Sequence, residues 1–336
     1  MPVSLARELE LDPALTAAAI CTRLRDQLGT LLARRGFVVG LSGGVDSSVC
    51  AALAVRAVGA SRVFGLLLPE DESDPESLTL GRAWAEALGI AFTVTEIGPI
   101  LEALGCYRLR NDAVRRVVPD FRDGWRSKVV MLGSSWEADR LNVPYVAVES
   151  PDGARRRVRL PAAEYRQIVA ATNFKQRTRA MLEYFHADRL HYAVLGTPNR
   201  LEYDQGFFVK GGDGLADVKP IAHLYKGQVY ALAEYLGVPA AVCDRVPTTD
   251  TYSLPQTQEE FYFSLPPRTL DLVLFAHNQR REAAAVAGEL DRRVDEVERS
   301  FREVERKRAA TRYLHLPPLL AGAVPEVHPV TPPEPD

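Results

Sequence analysis

Apolar residues recur along this chain with the spacing first of a helix and then of buried strands. Between residues 13 and 35 they mark one face of an amphipathic helix, and the run Phe37-Val38-Val39-Gly40-Leu41 predicts a buried strand. The same analysis predicts a helix, a strand, a helix and a strand at residues 47–58, 62–68, 77–88 and 91–95. Such alternation is typical of an α/β fold with a doubly wound parallel sheet flanked by helices.

The alternation breaks between about residues 106 and 163, where we find no strong period. This segment is rich in arginine, and the turn signal Pro151-Asp152-Gly153 predicts a hairpin of two strands at residues 144–149 and 155–160. We interpret it as an insertion. Its arginines form either a solvated face or a lid over an anionic substrate, whose carboxylate or phosphate groups match the guanidinium fork.

Beyond the insertion the sequence predicts three helical stretches and one strand, at residues 165–189, 225–236, 280–310 and 192–196 respectively. We therefore expect a single domain over residues 1–323, with a Rossmann-like sheet and a helical C-terminal region. Residues 324–336 are rich in proline and carboxylates, which predicts a disordered tail.

Composition narrows the class of protein. The formal net charge of −3 gives no electrostatic attraction to nucleic acid or to an anionic membrane. The four cysteines and six histidines lack the spacing of a zinc site or a redox pair, and no apolar run reaches the ~18 residues of a membrane helix. We expect a cytoplasmic protein with neither a nucleic-acid nor a membrane partner.

A glycine-rich loop, Ser42-Gly43-Gly44-Val45-Asp46-Ser47-Ser48, lies between the first predicted strand and the next helix. Backbone N–H groups and the positive end of the helix dipole meet there, which favours phosphate binding. The glycines let the backbone approach a phosphate closely, and the serine hydroxyls can donate hydrogen bonds to it. The aspartate carboxylate suits a Mg²⁺ ion bound to the phosphate oxygens. The loop has neither Gly-Lys-Ser/Thr nor Gly-x-Gly-x-x-Gly spacing. A simple glycine turn before a serine-capped helix is the alternative, but the complete motif favours nucleotide binding.

Further motifs follow in order along the chain. They are Asn173-Phe174-Lys175-Gln176-Arg177, Leu195-Gly196-Thr197, Gly206-Phe207-Phe208-Val209-Lys210, Leu224-Tyr225-Lys226-Gly227-Gln228 and Pro247-Thr248-Thr249-Asp250. Together with the loop they resemble the ammonia-dependent NAD synthetases, a branch of the N-type ATP pyrophosphatases in the adenine nucleotide alpha-hydrolase-like superfamily. The resemblance implies that ATP adenylates the carboxylate of deamido-NAD and that ammonia then displaces AMP to give NAD.

The resemblance also implies roles for individual residues. Contacts with ATP are implied for Gly40, Leu41, Ser42, Gly43, Gly44, Val45, Asp46, Ser47, Ser48, Thr197, Lys226 and Thr248. Asp46 and Glu202 are implied as Mg²⁺ ligands, and Arg177, Lys210, Asp217 and Lys307 as contacts of deamido-NAD. Catalytic roles fall to Asp46, Lys226, Thr248 and Asp250, the last in the loop where ammonia attacks. Independently, hard carboxylate oxygens suit Mg²⁺, and a lysine can stabilise the leaving pyrophosphate.

Three departures lie on the acyl-substrate side of the resemblance. They are the insertion, the partial loss of a Gly-Gln-Thr-Asp-Glu run after Asp250, and Arg306 where the family has histidine. The same chemistry on a different carboxylate therefore remains an alternative. A tRNA-thiolating enzyme is disfavoured because paired cysteines are missing. A non-catalytic nucleotide-binding protein is disfavoured because both metal carboxylates are retained.

Partners follow from the same resemblance. It implies a homodimer with the substrate bound across the interface. The sequence contains no nitrilase-like glutaminase domain, so we expect free ammonia or a separate glutaminase to supply the nitrogen.

Overall fold

A computed structural model describes residues 4–132, 143–246, 251–263, 265–324 and 326–327. The predicted tail lies almost entirely outside this part of the chain, as do the candidate residues Thr248 and Asp250.

The described chain forms two sheets and a set of helices. The strands are β1 (Phe37–Gly40), β2 (Val63–Leu67), β3 (Ala91–Val94), β4 (Arg126–Leu132), β5 (Val143–Glu149), β6 (Arg155–Arg159) and β7 (Ala193–Leu195). The helices are α1 (Leu5–Glu8), α2 (Pro13–Asp26), α3 (Val45–Val58), α4 (Pro75–Ala87), α5 (Gly98–Ala103), α6 (Cys106–Val117), α7 (Ala162–Leu190), α8 (Arg200–Gln205), α9 (Lys226–Tyr235), α10 (Ala240–Cys243), α11 (Pro267–Asn278), α12 (Ala283–Leu290) and α13 (Val294–His315). A π-helical turn, Gln27–Leu31, extends α2, and another spans Glu259–Phe263.

The main sheet is parallel, with strand order β3-β2-β1-β7. Phe37 pairs with Val63 on one side and with Ala193 on the other, so the carboxyl ends of the strands reach the same edge. Phe37 and Val39 pack into a core with α2, α3 and α9, whereas Val38 faces a second core with α5, α6 and α7. The predicted doubly wound α/β fold is confirmed. In such folds ligands bind at the edge of the sheet where the parallel strands end, which is here the edge at which β1, β2 and β7 end.

The insertion forms a separate antiparallel sheet, ordered β4-β5-β6. The predicted hairpin is confirmed as β5 and β6. The rest of the segment, for which no element was predicted, contains α6 and β4. The buried residues of α6 do recur with helical spacing, but one of them is Arg110, which hides the apolar face from a hydrophobicity pattern.

The C-terminal region packs beside α8 and α9. The helical stretch predicted at residues 280–310 is two helices rather than one. Asp291 adopts a left-handed conformation (φ 51°) that ends α12, and α13 begins after Arg293. Within the described ranges, no helix combines the length and the apolarity needed to cross a membrane.

Candidate active site

The glycine-rich loop joins β1 to α3, as predicted. Gly44 is the N-cap of α3, and Gly43 has φ +72°. A Cβ on Gly43 would lie 2.5 Å from the carbonyl oxygen of Ser77, so both the conformation and the packing require glycine. The first-turn N–H groups of α3 have no acceptor within the helix, which makes this loop suited to an anion.

The serine hydroxyls stabilise the loop itself. Ser47 Oγ and Ser48 Oγ donate to the carbonyl of Gly44 at 3.1 and 2.9 Å, and both side chains are buried. Ser42 is exposed, and its N–H donates to Ser47 Oγ at 3.3 Å. Contacts of these serines with ATP stay predictions, and the structure leaves Ser42 as the most accessible of the three.

Leu41 and Val45 have buried side chains, so any contact they make with ATP involves the backbone. Gly40 ends β1 beneath α7, where a Cβ would lie 2.6 Å from Glu183 Oε1. Thr197 follows the carboxyl end of β7, at the same edge of the sheet as the loop.

Two carboxylates from different strand ends meet beside the loop. Asp46 lies in the first turn of α3, and Asn199 Nδ2 donates to its Oδ1 at 3.0 Å. Asn199 also caps α8, and its N–H donates to Glu202 Oε2 at 3.1 Å. The buried Asn199 thus binds both predicted metal ligands. Sequence reasoning did not single it out, although an Asn followed three residues later by Glu is a recognisable capping box.

Lys226 completes the cluster from α9. Its ammonium group forms an ion pair with Asp46 Oδ2, and its side chain is buried. Asp271 accepts from the backbone N–H groups of Lys226 and Gly227 at 3.0 and 2.7 Å, which fixes the start of α9. The structure therefore brings together three residues that the sequence assigned to ATP and metal binding.

The cluster is short of positive charge. Burial raises the pKa of Glu202 to about 7, the charge of Asp46 acts in the same direction, and Lys226 acts against it. Burial acts to lower the pKa of Lys226, but the charges of Asp46 and Glu202 outweigh this effect and raise it. Two carboxylates thus share one ammonium group, and a further cation would be electrostatically favoured.

This donor set fits Mg²⁺ bound together with a nucleotide. Among the described residues, no group of three or more His, Cys, Asp or Glu side chains is placed to hold a metal. Mg²⁺ commonly takes only one or two protein carboxylates and completes its octahedron with phosphate oxygens and water. Asp204, close to Glu202 in sequence, is instead held by Arg308 at 2.7 and 2.8 Å.

Of the four residues assigned to deamido-NAD, two lie together. The guanidinium group of Arg177, on α7, lies 3.4 Å from the carbonyl oxygen of Lys210. Lys210 Nζ donates to the carbonyl oxygens of Tyr313 and Leu316 at 2.7 and 2.9 Å, so it binds the C-terminal end of α13. Both side chains are exposed and remain accessible to a ligand.

The other two residues assigned to deamido-NAD, Asp217 and Lys307, form hydrogen bonds within the protein. Asp217 accepts from the N–H of Val194 at 2.7 Å and from the hydroxyl of Tyr184 at 3.2 Å. Lys307 donates to the carbonyl oxygen of Tyr262 at 2.8 Å and lies over its ring. Their roles in substrate binding stay predictions.

A buried ionic cluster lies at the carboxyl end of β2 and was not predicted. Lys175 is 1% exposed, and its Nζ contacts Glu70 Oε1 at 2.8 Å and Glu72 Oε2 at 2.7 Å. Arg110 binds Glu72 at 2.6 Å, and the hydroxyl of Tyr107 donates to Glu70 at 2.6 Å. The sequence signal is a pair of acidic residues shortly after a strand and a lysine within the Asn-x-Lys-x-Arg motif of α7, but the lysine lies 105 and 103 positions from them.

Comparison with known proteins identifies the family of this chain. The family model described as NAD synthase matches residues 16–120 and 140–311. The chain is 56% identical over 322 residues to the NH3-dependent NAD(+) synthetase of Rhizobium meliloti (strain 1021), covering 96% of each chain. It is 36% identical over 244 residues to the protein of that name from Thermotoga maritima, covering 71% of this chain and 79% of the relative.

Solved structures show the same fold at lower identity. The NMN synthetase from Francisella tularensis superposes with a TM-score of 0.65 at 22% identity, covering 94% of this chain and 100% of the other. The NH3-dependent NAD synthetase from Campylobacter jejuni superposes with a TM-score of 0.60 at 19% identity, covering 93% of this chain and 100% of the other. The family model matches most of this chain, and the Rhizobium meliloti relative is 56% identical over 96% of it. We therefore conclude that this chain belongs to the NAD synthase family.

Proposed function

We propose that this protein is an ATP-dependent carbon–nitrogen ligase that converts deamido-NAD and ammonia into NAD, with release of AMP and pyrophosphate. The observation that carries the proposal is the meeting of Asp46, Glu202 and Lys226 beside the glycine-rich loop. The names of the relatives at 52–56% identity support it.

The reaction needs two displacement steps. A carboxylate oxygen of deamido-NAD attacks the α-phosphorus of ATP, and the bond from that phosphorus to the bridging oxygen breaks to release pyrophosphate. Ammonia then attacks the acyl carbon, AMP leaves, and the nitrogen loses a proton to give the amide. Both steps depend on charge stabilisation and positioning rather than on a covalent enzyme intermediate.

Asp46 and Glu202 are the residues that would hold Mg²⁺. When bound, the metal neutralises the triphosphate and makes the α-phosphorus accessible to an anionic nucleophile. Lys226, paired with Asp46 in the free protein, would be freed to bind the departing pyrophosphate. First-turn N–H groups of α3 would bind the phosphates, with Thr197 at the neighbouring strand end. Thr248 and Asp250 retain the catalytic roles implied by the resemblance.

We place deamido-NAD on the side of Arg177 and Lys210, and we infer a homodimer there. Arg177, Met181 and Phe185 lie at i, i+4 and i+8 on α7, so they share one helix face. Met181 and Phe185 are 56% and 59% exposed, which is unusual for adjacent large apolar side chains. A second copy covering them would lie next to Arg177, with the substrate between the two protomers.

We further propose that residues 1–323 act as one catalytic domain in the cytoplasm. Arg308 of α13 binds Asp204 of α8, so the C-terminal helices are joined to the element that carries Glu202. All four cysteines are free thiols, as a reducing compartment would keep them.

The decisive assay measures pyrophosphate release and NAD formation with ATP, Mg²⁺ and ammonium, with and without deamido-NAD. We expect NAD only when all four are present, and a loss of about a hundredfold or more in Asp46→Ala. Glutamine should not replace ammonium unless a separate glutaminase is added. A folded protein that binds ATP but makes no NAD would refute the proposal, and a panel of other carboxylates would then identify the acyl substrate.

A further inference from the structure

One edge of the insertion sheet is attached to a segment that leads into the candidate active site. The N–H of Ser127, on β4, donates to Ser253 Oγ at 2.9 Å, and the N–H of Leu254 donates to the carbonyl of Ser127 at 3.3 Å. Gln256 Nε2 donates to the carbonyl of Val129, and Gln256 is buried. We call residues 251–258 the clamped segment.

The beginning of the clamped segment is held by α7 as well as by β4. Lys175 Nζ donates to the carbonyl oxygen of Thr251 at 2.8 Å while it binds Glu70 and Glu72. The next residue, Tyr252, is 5% exposed and packs into the core shared by α6, α7 and the insertion sheet. Lys175 and Tyr252 are both buried, so the beginning of this segment is fixed in the protein interior.

The far end of the clamped segment contacts a candidate metal ligand. Gln258 Nε2 donates to Glu202 Oε1 at 3.0 Å. The other oxygen, Oε2, accepts from the N–H of Asn199, so both carboxylate oxygens have a donor that sets their direction. An amide can do this without adding a third negative charge beside Asp46 and Glu202.

We propose that Gln258 is a positioning residue for the metal-binding carboxylate of Glu202, and that β4 and Lys175 place it there; this inference rests on the proposed function. Hydrogen-bonded partners of metal ligands fix the orientation of the ligand, and their loss weakens metal binding. The insertion sheet thereby contributes to the metal site through an edge strand that itself touches neither carboxylate.

The test uses full-length protein and Mn²⁺ as a spectroscopic substitute for Mg²⁺. Binding of Mn²⁺ in the presence of a non-hydrolysable ATP analogue is measured by electron paramagnetic resonance, which does not depend on turnover. We expect Gln258→Leu to weaken Mn²⁺ binding about tenfold and to raise the Mg²⁺ concentration needed for half-maximal NAD formation. Gln256→Leu, which removes one of the hydrogen bonds that join the clamped segment to β4, should act in the same direction by a smaller factor.

Arg157→Gln provides the matched control, since Arg157 is exposed on β6, at the opposite edge of the sheet from the clamped segment. It should leave Mn²⁺ binding unchanged. The inference is overturned if Gln258→Leu binds Mn²⁺ like the wild type, or if Gln256→Leu lowers only the melting temperature. Those results would leave the proposed function intact, provided that the wild type makes NAD. A wild type that binds no metal with the ATP analogue would overturn both.

Discussion

Lys226 and Asp46, 180 positions apart in the chain, form a partly buried ion pair at the centre of the candidate active site. The pair joins the first turn of α3 to the first turn of α9. Because Asp46 is also bound by Asn199, the N-cap of α8, one carboxylate links the N-terminal ends of α3, α8 and α9.

Removing only the cation of this pair should destabilise the folded protein. We expect Lys226→Met to lower the free energy of unfolding by about 3 kcal/mol, because the partly buried carboxylates of Asp46 and Glu202 would lose their counter-charge. The double variant with Asp46→Asn should regain part of that stability while remaining inactive. Urea unfolding measures the stability of each variant, and pyrophosphate release measures its activity. Equal stability of the two variants would contradict the ion-pair account.

Gly43 should not tolerate a side chain. Gly43→Ala is expected to destabilise the protein by about 2 kcal/mol or more and to weaken ATP binding, because the added Cβ meets the carbonyl of Ser77. Gly89→Ala is a matched control with φ +65° and, among the described residues, no atom within 4 Å of the added Cβ. It should cost only about 1 kcal/mol, with unchanged ATP binding by calorimetry. Similar losses in both variants would mean that backbone strain alone matters.

The buried cluster around Lys175 should contribute to stability. We expect Lys175→Met to lower the free energy of unfolding by about 3–5 kcal/mol, since Glu70 and Glu72 would remain buried with reduced compensation. Arg108→Ala removes an exposed ion pair to Asp112 and should have little effect. Chemical unfolding of the two variants side by side checks the contrast. A loss no larger for Lys175→Met than for the surface control would contradict it.

Metal binding should depend on pH through Glu202. Burial raises its folded pKa to about 7, above the ~4.3 of an unfolded glutamate. Between about pH 4.3 and pH 7, Glu202 therefore binds a proton in the metal-free folded state but not in the unfolded state. The free energy of unfolding falls as pH rises through that range, because the folded state has to give up this proton. Metal requires the carboxylate, so Mn²⁺ affinity should increase up to about pH 7 and then level off.

Glu202→Gln is the comparison for this prediction. Burial raises the pKa of Glu183 to about 8, with Asp213 acting in the same direction and Arg179 against it. Glu183 is present in both proteins, so the difference between their pH profiles isolates Glu202. Identical profiles of unfolding free energy for the two proteins would show that Glu202 is already ionised in the folded state.

The exposed apolar pair on α7 should mediate dimerisation. We expect Phe185→Asp to convert a dimer into a monomer, because a charge would be buried at the centre of the interface. Leu320→Asp, at a site that is 70% exposed beyond α13, should leave the dimer intact. Light scattering with size-exclusion chromatography measures the mass. A monomeric wild type would refute the dimer, and a dimeric Phe185→Asp variant would place the interface elsewhere.

Local sequence patterns were sufficient for the sheet and for the glycine-rich loop. The strand and helix around Gly43 and Gly44 have simple apolar periods, and the motif order led to Asp46, Glu202 and Lys226, which the structure brings together. Hydrophobic patterns did not predict the elements whose buried face carries charged residues. Arg110 interrupts the apolar stripe of α6, and arginine and lysine begin β4 although that strand pairs with β5 and contacts the clamped segment.

Long-range polar pairing was also beyond local patterns. Lys175 finds Glu70 and Glu72 at separations of 105 and 103 positions, and no spacing rule links such residues. Asn199 could have been recognised as a helix cap, but its bond to Asp46 depends on β1 and β7 lying side by side. Those partners are fixed by topology, which a single sequence specifies only through the whole fold.

The adjacency of β1 and β7 also governs the order in which the protein can acquire activity during synthesis. The loop, α3, β2 and β3 emerge early and can pair among themselves, whereas Asn199 bonds to a residue 153 positions before it. Closing so long a loop is entropically unfavourable until the intervening chain has collapsed. A nascent chain therefore exposes the glycine-rich loop before Glu202 and Lys226 have joined it, and we expect no consumption of ATP before most of the domain has folded.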